Sequence, residues 1–304
     1  MFETVSAIIP TLGRKSLARA VSSALNQSLP IHEVIVVDAS ENGITPEELP
    51  NNGRVKIVRT VKDDTDNGHL WTAAVNRNIG VKNATGTYVA FLDDDDVWLP
   101  KKSEQQIMAA TSLQKPLILG RVHYKLGSGV QYTRPRKPIG REQNVFEAMY
   151  GTRMLRQLPY YLATPTILAL RDFLVDVPLP ELVPGYEDTL WLHQAQQAGA
   201  QIWQISEIVA VVSGDPKRSI GRDTLSKNKS WADTLSETNS RYAHNFLSGI
   251  AARNAVINGS QDDVSSLRSL ASIYLSESDL SIFESVRWRA LELLAGFTGL
   301  WGRH

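Results

Sequence analysis

The sequence predicts an α/β fold, a mostly parallel sheet flanked by helices, with a C-terminal helical appendage. Short apolar runs alternate with segments of helical spacing from Val5 to Val212, the pattern of a sheet covered on both faces. Several of the runs stop abruptly at a polar or acidic residue, as buried strands do where the chain turns into a crevice. The alternation ceases at about Asp223, beyond which the chain is helical or polar. The expected partition is one domain over residues 1–222 and a helical region over residues 223–304.

Each element follows from its own pattern. Val5 to Ile9 is an apolar strand closed by Pro10, and Gly13 to Gln27 is a helix with Leu17, Val21, Ala24 and Leu25 on one stripe. Val34 to Val37 is a second buried strand ending at Asp38, and Arg54 to Thr60 is a third. A turn at Asp66, Asn67 and Gly68 opens a helix from about His69 to Lys82, and Gly86 separates that helix from the strand Tyr88 to Leu92. Lys101 to Leu113 reads as a helix, Leu117 to Tyr124 as a strand, and Gly127 to Lys137 as a hairpin or loop. A short helix after Val145, an apolar segment Thr166 to Leu170, a helix Glu187 to Ala198 and two strands, Gln201 to Ile205 and Ile208 to Val212, complete the series.

Composition excludes some classes of function. The 304 residues hold 32 Lys plus Arg against 32 Asp plus Glu, so no overall charge marks nucleic acid as a partner. There is no cysteine, which removes disulfides and thiolate chemistry. The stretch MFETVSAIIP has no basic segment leading into a long apolar core, and no run reaches the roughly 18 apolar residues of a spanning helix. A cytoplasmic chain, at most peripheral to the inner face of a membrane, is the expectation.

The informative stretch is YVAFLDDDDVWLP, in which Asp93, Asp94, Asp95 and Asp96 follow a buried run and precede Val97, Trp98 and Leu99. An acidic run in a loop is ordinarily a solvated surface. Here both flanks want burial, and unpaired carboxylates held between buried elements cost several kcal/mol, so a counter-charge is required. A hard divalent cation meets that need, taking one or two carboxylates and filling its shell with water and a substrate's phosphates. Thr11, Asp38 and the acidic run all lie just past strand ends and are expected in one crevice.

With SAIIPTLGR, EVIVVDAS, NRNIGVKNATGTYVAFLDDDD and GYEDTLWLHQAQQAG in this order, residues 4 to 215 resemble the family 2 glycosyltransferases. The resemblance implies a GT-A type, Rossmann-like sheet and inverting transfer of a sugar from a nucleotide-diphosphate donor, UDP- or dTDP-linked, to an acceptor hydroxyl. It implies that Thr11 and Asp38 hold the base and ribose, and that Arg77 reaches the base or phosphates. It also implies that Asp95 binds Mn2+ or Mg2+ directly, with Asp93 or Asp94 on the ribose or the metal. Asp188 matches the family's general base and Glu187 an acceptor-orienting neighbour; both residues also suit the first turn of a helix, where acidic groups are favoured by its dipole. Arg218, in the basic stretch SGDPKRSIGR, is the candidate phosphate ligand on a loop after the last strand. Asp96 is expected either to cap the next helix or to act in the site.

By the same resemblance the partners are a nucleotide-sugar donor and a carbohydrate or lipid-linked glycan acceptor in bacterial surface polysaccharide or glycoconjugate assembly. Acceptor contacts are expected from loops such as Gly127 to Arg141 and Ala163 to Thr166. The amphipathic tail VRWRALELLAGFTGLW fits a helix docked on the domain or on a second subunit, and less readily one lying on a membrane. Two rival readings are weaker. A sugar-phosphate nucleotidyltransferase calls for a glycine-rich loop after the first strand, where PTLGRKS has one glycine. A noncatalytic metal- or carbohydrate-binding module has no need of two acidic clusters in one cleft.

Overall fold

A computed structural model describes residues 3–60, 72–114, 116–126, 129, 131–141, 143–151, 162–181, 185–214, 225–257, 261–275, 286 and 288–294. The four strands β1 (Val5–Thr11), β2 (Glu33–Asp38), β3 (Val55–Arg59) and β4 (Tyr88–Phe91) form parallel ladders. They are joined by β5 (Val97–Trp98), β6 (Pro116–Leu126), β7 (Gln131–Arg134), β8 (Leu168–Leu170) and β9 (Gln201–Gly214). Among the described residues the sheet runs β3-β2-β1-β4-β8-β6-β9-β5, with β7 alongside β6. It is mixed: β8 runs antiparallel to β4 and β6, and β5 antiparallel to β9, while β6 and β9 are parallel.

Local sequence explains where the helices sit. In α1 (Leu17–Leu25) the buried residues Leu17, Ala20, Val21 and Ala24 recur at helical spacing and share one apolar core with Val5, Ala7 and Ile9 of β1. The alternate residue Ile8 faces the other way, against α2 (Ala73–Asn83), where a Cβ on Gly80 would come within 2.4 Å of Ile8 Cγ2. Helices therefore cover both faces of β1. Thr72 caps α2, its hydroxyl accepting from Val75 N at 3.3 Å; the expected turn at Asp66–Gly68 and helix start at His69 lie outside the described residues. Further along come α3 (Lys102–Ala110), α4 (Val145–Tyr150), α5 (Arg171–Asp176) and α6 (Glu187–Gln197).

One expectation changes, and one strand is new. Gln201 to Ile205 and Ile208 to Val212 are one strand, because β6 continues alongside through a register shift near Gly120 rather than ending. Val97–Trp98, too short to show a period, pairs with β9 at Val211 and Ala210.

The chain divides into two compact units, residues 1–145 with 161–214, and residues 146–160 with 215–304. The second contains most of α4 together with α7 (Leu225–Thr238), α8 (Ser240–Phe246), α9 (Ala252–Ile257) and α10 (Gln261–Ala271). Its core is aromatic: Phe146, Tyr150, Trp231 and Phe246 meet edge to face, and Trp231 Nε1 donates to Tyr150 Oη at 3.3 Å. In the described part of the tail Trp288 is buried, whereas Leu293 and Leu294 are exposed.

Candidate active site

The parallel register of β1 and β4 sets Ile8 beside Phe91, and Leu92 N donates to Ile8 O at 3.0 Å. The acidic run therefore begins level with Pro10 and Thr11. Its four carboxylates are drawn apart by different partners. Asp94 is buried, accepting from Thr11 Oγ1 at 2.6 Å and from Arg14 Nη1 at 2.8 Å. Asp95 takes the same Arg14 nitrogen at 2.9 Å, and Asp93 takes Arg77 Nη2 at 2.6 Å. Asp96 turns inward and accepts from Ser213 N on β9 at 2.8 Å. It does not cap α3, whose N-cap is Lys101; the antiparallel β5–β9 pairing places a backbone N–H within its reach first.

Arg77 connects the two acidic groups. Its buried guanidinium, carried by α2, holds Asp93 and also reaches Glu187 Oε1 at 3.4 Å, while Nε has no partner among the described residues. The pair Glu187-Asp188 opens α6, where Glu187 also accepts from Gly185 N at 2.5 Å. Asp188 Oδ2 accepts from Thr164 Oγ1 at 3.1 Å and Oδ1 from Thr189 N at 2.7 Å. A cleft of about 320 Å³ is lined by Thr11, Arg14, Asn76, Arg77 and Asp93 to Asp95, and Glu187 joins it through Arg77.

Charge and burial tune these groups. Burial, reinforced by the Glu187 charge and opposed by Arg77, pushes Asp188 up to about 6. Burial and then the Asp93 charge push Asp96 up to about 8. Asp95 is raised by burial against the opposing pull of Arg14. Arg14 and Arg77 supply part of the counter-charge that the sequence demands, yet Asp93, Asp94, Asp95 and Glu187 still outnumber the two guanidiniums. Among the described residues no three His, Cys, Asp or Glu side chains form a ready chelating group.

Of the residues expected in one crevice, Thr11, Arg77, Asp93, Asp94, Asp95 and Glu187 come together, and Asp188 sits beside Glu187 on α6. Asp38 does not line the cleft. Its carboxylate, 1% exposed, accepts from Ser40 N and Oγ, from Ile44 N and from Arg59 Nη1, all within 2.6–2.9 Å. Arg218 lies outside the described residues. Trp98 and Trp191 are buried packing residues whose indoles donate to Pro165 O and Val177 O. Arg14 and Thr164 were not singled out by sequence reasoning. Arg14 stands in the TLGR stretch two residues past Leu12, where nothing local links it to the acidic run 80 residues on, and Thr164 carries no local signal.

Residues 6–174 match the profile of the family described as Glycosyl transferase family 2. Among curated relatives, the amylovoran biosynthesis glycosyltransferase AmsB of Erwinia amylovora is 25% identical over 215 residues, covering 67% of this chain and 68% of that one. The UDP-Glc:alpha-D-GlcNAc-diphosphoundecaprenol beta-1,3-glucosyltransferase WfgD of Escherichia coli is 31% identical over 106 residues, 34% of this chain and 39% of its own length. For several of the curated relatives the match spans well under half of their length. Among solved structures, Staphylococcus aureus TarS 1-349 in complex with UDP-GlcNAc aligns with a TM-score of 0.55 at 16% identity, over 96% of this chain and 81% of TarS. The mannosyltransferase PcManGT of Pyrobaculum calidifontis, in complex with GDP-Man and Mn2+, gives the same TM-score and identity over 100% of this chain and 89% of its own. These likenesses show a GT-A fold. With the profile matched over more than half of its length, the chain belongs to glycosyltransferase family 2.

Proposed function

We propose that the chain is an inverting glycosyltransferase that moves a sugar from a UDP- or dTDP-sugar to an acceptor hydroxyl in bacterial polysaccharide or glycoconjugate assembly. The observation that supports this most is the Arg77 bridge, in which one buried guanidinium joins the acidic run at Asp93 to the Glu187-Asp188 pair. Arg77 thus ties the carboxylates read as donor-binding to the pair read as proton-accepting.

In the proposed step the acceptor oxygen attacks the anomeric carbon as its proton passes to Asp188. The bond from that carbon to the phosphate oxygen breaks, and the nucleoside diphosphate leaves. A carboxyl raised to about 6 is ionised at neutral pH yet basic enough to take the proton. Glu187 is held by Arg77 and Gly185 N in a position to orient the acceptor. Thr11, Arg77, Asp93 and Asp94 face the donor. Asp38, committed to its turn, acts on the nucleotide by shaping the backbone between Ser40 and Ile44.

Asp95 and Asp93 are the residues that would hold Mn2+ or Mg2+, whose carboxylate and phosphate preference the donor set fits. Such an ion, when bound, offsets charge growing on the departing diphosphate. Arg14, whose side chain is half exposed, is the contact that cation binding would exchange.

The donors named for the relatives, UDP-Glc for WfgD and UDP-GlcNAc for TarS, head the screen. A lipid-linked glycan acceptor, of the class in the WfgD name, would put the reaction at the inner face of a membrane. The test is release of free nucleoside diphosphate with Mn2+ present. Asp95→Ala abolishes it with the fold intact, and unchanged release counts against the metal assignment. Asp188→Asn retains nucleotide binding by calorimetry but loses transfer by about 10²–10⁴-fold.

A further inference from the structure

The segment Ala163 to Thr166 was expected among the acceptor-contacting loops, but it is a buried 3-10 turn over Thr164–Thr166, locked from behind. Trp98 Nε1 donates to Pro165 O at 3.0 Å, Gln106 Nε2 to Thr166 O at 2.6 Å, and Thr166 Oγ1 closes the turn on Ala163 O at 2.7 Å. Gln106 is itself held, donating to Ile118 O and accepting from Lys102 Nζ. Lys102 lies over the Trp98 ring, 4.4 Å from its centroid, and burial brings its ammonium down to about 7. Trp98, Lys102 and Gln106 are each at most 2% exposed, so the backbone of the turn has little freedom.

That rigidity is transmitted to one hydroxyl. Thr164, itself buried, donates from Oγ1 to Asp188 Oδ2, while Thr189 N fixes Oδ1. With both oxygens anchored, the plane of the carboxylate is set. Oδ1 also accepts from Thr189 Oγ1 at 3.3 Å, so of the roughly four acceptor positions of a carboxylate three are used and it is Oδ2, beside Thr164, that retains lone-pair capacity. Hydrogen bonds of this kind also favour the ionised form. The charged groups acting on Asp188 are Glu187 from its own helix, which opposes ionisation, and Arg77 from α2, which favours it.

We propose, resting on the reading of Asp188 as general base, that Thr164 is its positioning residue. The buried turn aims the Thr164 hydroxyl so that the carboxylate is both oriented toward the acceptor and kept ionised. Misplacing a catalytic group by about 1 Å costs on the order of 10²-fold in rate, so a rigid support has a use here that a mobile loop would not serve.

The primary test needs no substrate. Titration of the Asp188 carboxyl, followed by NMR on protein carrying carbon-13 aspartate and assigned with Asp188→Asn, is compared between wild type, Thr164→Val and Thr164→Ser. Thr164→Val keeps the shape and removes the donor. Its Asp188 titration moves upward by about one pH unit, the size expected for one hydrogen bond to a charged group, and Thr164→Ser restores it. The second test is the pH dependence of kcat/KM for nucleoside diphosphate release, using the UDP-sugar that the donor screen turns over. In Thr164→Val the acid limb moves upward by the same amount and kcat falls at least about tenfold with donor KM unchanged. An unmoved titration overturns the proposal, as does a loss of activity that comes with a lowered melting temperature and an unmoved acid limb. Full transfer by Asp188→Asn sinks the base reading, and the positioning role with it, even where the titration shift persists. If Asp188→Asn is inactive and the Thr164→Val titration does not move, the base reading stands and only the role of Thr164 falls.

Discussion

Asp38 and Asp94 both follow buried strands, and in sequence they look alike. Asp94 meets Thr11 and Arg14 at the cleft, whereas Asp38 is enclosed by donors from its own turn and from Arg59. Burial raises the Asp38 carboxyl, but the Ser40, Ile44 and Arg59 hydrogen bonds outweigh it and hold the group below the usual range. Asp38→Asn therefore lowers stability by about 1–3 kcal/mol, because the buried acceptor of a partly exposed Arg59 guanidinium and of a backbone N–H loses its charge. Urea denaturation checks this; unchanged stability would return Asp38 to the role of a pure ligand residue. The acidic run was legible as four charges needing a counter-ion. That Arg14 and Arg77 would meet part of that need was not, since neither stands next to it in sequence.

Among the elements, the long apolar strands and the amphipathic α1 were legible because burial imposes a period on the residues themselves. The strand β5, two residues long, was not, and β8 showed only as an apolar segment; with β7 these two make the sheet mixed. Contact between elements adds constraints of its own. Replacing Gly80 by Ala inside α2 gains about 0.5–1 kcal/mol of helix propensity. The new Cβ would lie 2.4 Å from Ile8 Cγ2 and 3.1 Å from its Cδ1, and overpacking of this kind costs about 1–3 kcal/mol. Gly80→Ala is accordingly destabilising on balance, whereas Gly53→Ala, with no atom within 4 Å, is near neutral. Paired urea midpoints decide between the helix-propensity and packing effects.

For the molecule as a whole, acid stability depends on a site remote from the cleft residues in sequence. Glu33 is buried at the start of β2 and accepts from Ser6, Lys56 and Thr85, ties that link β1, β3 and the approach to β4. Burial raises this carboxyl, yet those bonds bring it down to about 2. A folded value below the unfolded one means that the contribution is complete above about 4.5 and is lost as pH falls towards 2. The shift corresponds to about 3 kcal/mol at most. Glu33→Gln is less stable than wild type at pH 7 and the gap narrows as the pH is brought from 5 to 2, which thermal melts across that range would show. A constant gap would mean that packing, not ionisation, is responsible.

The sequence by itself determined the alternation of strands and helices, the strand ends at which polar groups gather, and the identity of both acidic clusters. Those features are local, because period and strand termination are imposed on neighbouring residues by burial and by turn geometry. The tertiary structure decided which carboxylate meets which cation. Arg77 and Glu187 lie 110 residues apart, Thr11 and Asp94 lie 83 apart, and Thr164 and Asp188 lie 24 apart. Such meetings depend on strand order and on the packing of α2 and α6 at the cleft. These are settled by ladders and contacts summed over the whole sheet, and no short stretch of sequence contains them.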